Sequence, residues 1–311
     1  MNYQEKIKEL RNKIFEELTP LIDSDYILLD LPYHSNIGDL LIWEGEEAFL
    51  RTLPYKCLYK SSFRTYRYKK IPNNVIVLIH GGGNFGDTWR FLQDFHLDII
   101  RQYPQNKIII FPQTVYYHDE QYLKKDAEIM SQHTNLTICA RDKKSYALLQ
   151  KHFSNSIFCV PDMAFYINQK RLNRYKVNET KDILFFKRND HEISQKIDYE
   201  HSFILKKKIE THDWPKKYWQ QRLFHIISSS KNPYKTFTDK YVEIIYKSFL
   251  IRLGVEFLSQ YKYIYTTRLH GAILSILLQK PLKLFDNSYG KNSSFYDTWL
   301  ADVDNVEFIH E

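Results

Sequence analysis

The chain has only three cysteines in 311 residues, Cys57, Cys139 and Cys159. An odd number without C-x-x-C spacing excludes a disulfide scaffold and points to a reducing compartment. Long hydrophobic runs are missing as well. The longest, Val75–Ile79 and Ile108–Phe111, are strand-sized, far below the roughly 20 residues of a membrane-spanning helix. The opening stretch, MNYQEKIKELRNKIFEEL, carries charge throughout and no apolar core, so no secretory signal is visible. The expectation is a cytoplasmic protein. Zinc-finger spacing, RNP-type motifs and an arginine-rich arm are absent, which argues against nucleic acid. H-E-x-x-H is absent and His191-Glu192 lacks a second histidine at ligand spacing. The D-x-D strings, Asp23-Ser24-Asp25 and Asp302-Val303-Asp304, stand before a strand and in the tail. No metal site is expected.

What is present is aromatic surface. With 24 Tyr, 20 Phe and 5 Trp the chain buries a real core, and disorder is excluded. The length suggests two domains. The formal charge of +7 suits a phosphorylated metabolite or an anionic membrane surface. The basic residues are dispersed, except at Lys206-Lys207-Lys208 and Lys216-Lys217.

Residues 3–18 place Tyr3, Ile7, Leu10, Ile14 and Leu18 on one stripe, the spacing of an amphipathic helix. Strands are then predicted at Tyr26–Leu31, Val75–His80, Lys107–Phe111, Leu136–Ala140 and Ile157–Val160. Helices are predicted between them at Asp39–Leu50, Phe91–Gln102, Gln121–Ser131 and Lys144–His152. This alternation implies βαβ units and a parallel sheet. The polar stretch Asn168–Thr180 is the expected boundary, dividing a first domain, 1–170, from a second, 171–311. The second repeats the alternation: strands Ile183–Lys187, Lys262–Thr266 and Leu282–Phe285, with helices Lys240–Gln260 and Leu269–Gln279. Residues 189–238 show little periodicity. The reading is two doubly wound α/β domains facing a cleft, with a C-terminal helical segment packing back on the first. Ligands of such sheets bind beyond the carboxyl ends of the strands.

Five strand ends carry chemistry. His34-Ser35-Asn36-Ile37-Gly38-Asp39 links a strand to a helix; Asp39 is either a helix cap or part of a polar wall. His80-Gly81-Gly82-Gly83-Asn84-Phe85-Gly86-Asp87 places three glycines where backbone approaches something closely or takes positive φ. Gly81, Gly83 and Gly86 satisfy G-x-G-x-x-G. The following strand ends in Phe111-Pro112-Gln113-Thr114, without the carboxylate a ribose requires, which argues against NAD. Ala140-Arg141-Asp142 points an arginine into the cleft, where it binds a ligand or pairs with Asp142 or Asp162. Val160-Pro161-Asp162 carries a carboxylate at a further strand end. Tyr265-Thr266-Thr267-Arg268-Leu269-His270-Gly271-Ala272 is the most specific segment. It delivers Arg268 and His270 to a helix N-terminus, where free N–H groups and an arginine fork favour an anion. A histidine beside that anion suits general acid–base work. The loop Asp286–Lys291 adds another cation, Lys291.

Together these motifs, in this order, resemble the polysaccharide pyruvyltransferase family, closest to its bacterial exopolysaccharide and capsule branch. The resemblance covers residues 30–165 and 260–299. It implies a GT-B-like pair of Rossmann-like domains and transfer of a pyruvyl group from phosphoenolpyruvate to two sugar hydroxyls. The product is a cyclic ketal, with phosphate released. It also implies a saccharide acceptor linked to a lipid diphosphate at the cytoplasmic membrane face, where peripheral contact with anionic lipid fits the basic charge. No cofactor is implied beyond the donor substrate. The family's donor residues carry over to Arg141, Arg268, Leu269 and His270, with Lys291 assisting. The acceptor wall is expected from His34, Asn36, Gly38, Asp39, Gly82, Gly83, Asn84 and Asp87. Two other readings stay open: a GT-B glycosyltransferase using a nucleotide sugar, and a non-catalytic polysaccharide-assembly protein. Acceptor identity and oligomeric state are not legible here.

Overall fold

In the computed structural model, which describes residues 1–189, 209–215 and 235–309, the strand–helix alternation becomes two parallel sheets. The first contains Tyr26–Leu29 (β1), Cys57–Lys60 (β2), Ile76–Ile79 (β3), Gly82–Gly86 (β4), Ile108–Tyr116 (β5), Leu136–Ala140 (β6) and Ser156–Cys159 (β7). Their order is β2-β1-β3-β5-β6-β7, with β4 also pairing β5. The second contains Lys181–Phe186 (β8), Ile209–His212 (β9), Tyr261–Thr266 (β10), Leu282–Phe285 (β11) and Val306–Ile309 (β12), ordered β12-β11-β10-β8-β9. The central strands are short aliphatic runs because a parallel sheet is covered on both faces; β1, β3 and β6 are buried throughout.

The helices are Tyr3–Leu18 (α1), Ile37–Leu50 (α2), Arg90–Gln102 (α3), Glu120–Ser131 (α4), Lys143–His152 (α5), Gln169–Asn173 (α6) and Lys235–Tyr241 (α7). Chain 242–246 is a π-turn leading into Lys247–Ser259 (α8), followed by Leu269–Leu277 (α9) and Lys291–Trp299 (α10). Leu97, Ile100, Met130 and Leu149, from α3, α4 and α5, pack on Ile27, Val77, Ile110 and Ile138 of one face of the first sheet. The opposite face shares a single apolar cluster with the second sheet. Leu28, Leu78 and Ile109 lie in it with Leu184, Ile264 and Leu284, joined through Leu10 of α1, Leu41 of α2, Ile251 of α8 and Ile273 of α9.

That shared layer fixes how the two halves meet. Glu47 on α2 pairs with Lys247 on α8 at 2.7 Å, and the neighbouring Glu44 pairs with Arg171 at 2.6 Å. Another tie is α10, which lies on the start of α5. There the Trp299 Nε1–H donates to the Arg141 carbonyl at 2.7 Å, and the Ser294 hydroxyl donates to Asp142 at 2.8 Å. No helix among the described residues is long and apolar enough to cross a membrane.

The predicted elements differ from the structure mainly at edges. β2 and β9 are largely exposed and carry no apolar run, so periodicity misses them. The glycine motif continues into a further strand, 82–86, and β5 runs on past Pro112 to Tyr116 beside it. Helix α2 starts at Ile37, two residues before Asp39, because Asn36 caps it. His191-Glu192 and both lysine clusters lie outside the described residues.

Candidate active site

Parallel strands all end at one edge of a sheet, and the chemical side chains gather there. Arg141 follows β6 and is 1% exposed. Its Nε donates to the Thr114 hydroxyl and its Nη1 to Asp162 Oδ2, both at 2.8 Å. Its Nη2 faces Gly83, where a Cβ would lie 3.2 Å away. Asp162, after β7, is buried and accepts the Ala164 N–H on Oδ1 at 2.9 Å. Its Oδ2 also stands 3.3 Å from His270 Nε2. Burial pushes this carboxyl up, but the His270 imidazole, the Arg141 guanidinium and the Ala164 N–H outweigh it and hold the group well below the usual range.

His270 sits in the first turn of α9. The Thr266 hydroxyl sets the approach to that turn, accepting the Arg268 N–H at 3.0 Å and donating to the Phe186 carbonyl at 3.1 Å. No side chain among the described residues caps α9, an arrangement that suits an anion at its leading N–H groups. Leu269 is 3% exposed and serves the core under that turn. The opposite edge of the His270 ring meets Gly38, where a Cβ would come within 2.6 Å of Nδ1. Arg141 and His270 are therefore brought together at Asp162, with Gly83 against the arginine and Gly38 against the histidine.

The remaining expected residues fall into three groups. Asn36 and Asp39 form a local unit: Asn36 caps α2 through Oδ1 and donates from Nδ2 to Asp39 Oδ2 at 2.7 Å. His34 lies 3.6 Å from the same Asp39 oxygen. Gly82, at φ 138°, separates Asp39 from Asn84; a Cβ there would sit 4.0 Å and 3.7 Å from their side-chain oxygens. Asn84 donates to Asp30 at 3.1 Å, and Asp30 also contacts His96 at 2.7 Å. Asp30 itself takes φ 62° at the end of β1.

Arg268 and Lys291 are placed differently. The Arg268 fork closes on Asp213, with Nε to Oδ1 at 2.5 Å and Nη2 to Oδ2 at 2.7 Å. Lys291 begins α10, its Nζ 5.5 Å over the Tyr289 ring, and Tyr289 stacks on Tyr116 of the first sheet at 4.5 Å. The Asp87 carboxylate accepts the His118 and Asp119 N–H groups, each at 2.8 Å, and clamps the turn after β5.

Sequence reasoning placed Asp162 at a strand end and offered it as a partner of Arg141, but gave no sign of its approach to His270. It missed Asp213, Thr114 and the buried pair of His80 with Glu46, 2.7 Å apart. A carboxylate directly after a strand, opposite an arginine after the neighbouring strand, was the available signal for Asp162. Asp213 lies in the aperiodic stretch and had none.

With this geometry in place, the comparisons are decisive. The sequence profile of the polysaccharide pyruvyl transferase family matches residues 36–289. The chain belongs to that family. The match runs from Asn36 through Tyr289 and so contains Arg141, Asp162, Arg268 and His270. Among relatives, "Putative pyruvyl transferase EpsO" of Bacillus subtilis is 34% identical, covering 94% of this chain and 92% of its own. "Pyruvyl transferase 1" of Schizosaccharomyces pombe is 28% identical over 91% of this chain and 72% of its own. A functionally uncharacterised protein from Klebsiella pneumoniae shares the fold of this pyruvyl transferase, with TM-score 0.64 and 21% identity over 97% and 99% of the two chains.

Proposed function

We propose that this enzyme transfers the pyruvyl group of phosphoenolpyruvate to two hydroxyls of one sugar residue, forming a ketal and releasing phosphate. The observation that carries the reading is the Asp162 carboxylate shared between a buried arginine and a histidine. Phosphoenolpyruvate has a phosphate and a carboxylate, so it calls for more than one cation and a helix N-terminus. Arg141 offers Nη2 across Gly83, α9 offers its leading N–H groups, and Arg268 before α9 and Lys291 at the start of α10 add charge. Fixed cations of this kind also stabilise departing phosphate, so transfer is expected in EDTA. His270 is the acid–base group, taking a hydroxyl proton and protonating the enol carbon.

The acceptor hydroxyls belong on the opposite wall, where His34, Asn36, Asp39 and Asn84 supply donors and acceptors. The two sheets are then a GT-B-like pair, with the donor on the second and the acceptor on the first. The acceptor is an exopolysaccharide precursor on a lipid diphosphate, which brings this basic protein to the inner face of the membrane. The test is incubation of a lipid-linked saccharide fraction with 13C-labelled phosphoenolpyruvate and the enzyme in EDTA. Label in a sugar ketal, with one equivalent of phosphate released, is the expected result. Label left in the donor while a nucleotide sugar is consumed contradicts the proposal.

A further inference from the structure

We propose that His270 moves protons through Nδ1, with Nε2 committed to Asp162 and Gly38 keeping the Nδ1 edge of the ring open. This rests on the transfer reaction proposed above and assigns its atoms. Three observations carry it. His270 Nε2 is sealed from solvent without a hydrogen bond among the described residues, and the Asp162 Oδ2 acceptor stands 3.3 Å away. The carboxylate it faces accepts hydrogen bonds from Arg141 and Ala164, an arrangement that suits an ionised, acceptor-only group. A buried ring nitrogen whose neighbour is such a carboxylate is satisfied by carrying the hydrogen and closing that short gap, which leaves the lone pair of the neutral ring on the other nitrogen.

That other nitrogen, Nδ1, is not among the sealed polar atoms of the described residues, and the side chain retains 12% exposure. The third observation is what lies against this edge. Gly38 belongs to the first turn of α2, and a Cβ there would lie 2.6 Å from Nδ1 and 2.8 Å from Cγ. Any side chain at position 38 displaces the imidazole. The glycine sits within the wall assigned to the acceptor, while Asp162 and Arg141 occupy the other side of the ring. His270 therefore stands between the donor-binding arginine and the acceptor.

The proton account balances on this atom. The O–H bond of the first hydroxyl breaks, its proton passes to Nδ1, and the imidazolium faces the negative Asp162. The oxygen bonds to C2 as the C2=C3 π pair takes the Nδ1 proton, turning the methylene into a methyl. The second hydroxyl then attacks C2, the bond from C2 to the phosphate oxygen breaks, and Nδ1 relays the second proton to the departing phosphate. One acceptor proton ends in the methyl group and the other on phosphate.

Two measurements test the assignment. In the full-length protein labelled with 15N-histidine and free of ligands, the His270 signal is identified by its loss in His270→Gln. A proton coupled to Nε2 and none on Nδ1 is expected; a neutral ring protonated on Nδ1 overturns the proposal. The second variant is Gly38→Ala, which places a better helix former in α2 but displaces the ring. Its turnover is expected to fall about 100-fold, the scale of one acid–base group. Donor affinity by calorimetry should stay within about threefold, the pattern of an interaction lost in the transition state alone. Normal turnover by a folded Gly38→Ala protein overturns the role of Gly38. Because the spectrum is recorded without donor, its result stands apart from that of the donor assignment, which fails only if the wild-type protein does not use phosphoenolpyruvate.

Discussion

His270 Nε2 lies 3.3 Å from Asp162 Oδ2, the same oxygen that accepts a 2.8 Å hydrogen bond from Arg141. A histidine from the second half of the chain and an arginine from the first are thereby gathered at one buried carboxylate. Substitution at any of the three disturbs the other two, and their effects are expected to be non-additive.

Removing the arginine exposes this coupling. Arg141→Ala leaves Asp162 buried without its guanidinium partner, a change that costs about 3–5 kcal/mol when a buried pair is broken. Arg141→Lys keeps a cation but loses the bond to Thr114 and the Nη2 group facing Gly83. Thermal melting should show the alanine variant strongly destabilised. The lysine variant should melt near wild type while its KM for the donor rises about tenfold or more, consistent with loss of bidentate geometry.

Arg268 is held by an internal carboxylate, and the sign of that interaction can be tested. Arg268→Ala should lower kcat/KM for the donor by about 2–4 kcal/mol in transition-state terms. Asp213→Asn removes the negative charge from the Arg268 fork. An anionic donor is then expected to bind severalfold more tightly, as read by calorimetry. An unchanged donor affinity would leave Asp213 with a purely structural part.

The junction between the halves predicts an acid-labile fold. Burial pushes Glu47 up, but Lys247 and Lys60 outweigh it and hold the group at about 2, against an ordinary value of 4.5. The folded value is the lower one, so the stabilisation is complete above the ordinary value and lost as pH falls through the folded one. It is on the order of 3 kcal/mol, and buried Asp162 acts in the same direction. Melting temperature should drop steeply below about pH 4.5, and Glu47→Gln should flatten that limb while lowering stability at neutral pH.

The glycine strand is a backbone requirement. Gly86 takes φ 125°, and a Cβ there would lie 1.8 Å from the Tyr116 carbonyl oxygen. Gly86→Ala should therefore cost about 3 kcal/mol or more, from strain at a special φ together with overpacking. Denaturant unfolding reads this directly.

The central strands, the helices between them and the strand-end motifs were legible because apolar runs and amphipathic stripes follow from burial. Helix α1 is an example: Ile7, Leu10, Ile14 and Leu18 are all buried as their spacing requires. Edge strands such as β9 were not, since half-exposed residues need no pattern. At the site, Arg141 and His270 were visible as unusual residues at strand ends, whereas their link through Asp162 depends on three distant segments meeting. Asp87 follows the glycine motif in sequence, and its bonds to backbone N–H groups 31 and 32 residues downstream had no local signal. The pairing of Arg268 with Asp213 spans 55 residues and left no local trace.

The most direct test of the account is calorimetric titration of the purified protein with phosphoenolpyruvate in EDTA, with UDP-galactose as the comparison ligand and Arg141→Lys as the control. The account predicts saturable binding of phosphoenolpyruvate that is weakened in the variant, and no binding of the nucleotide sugar. Binding of UDP-galactose without phosphoenolpyruvate would contradict it.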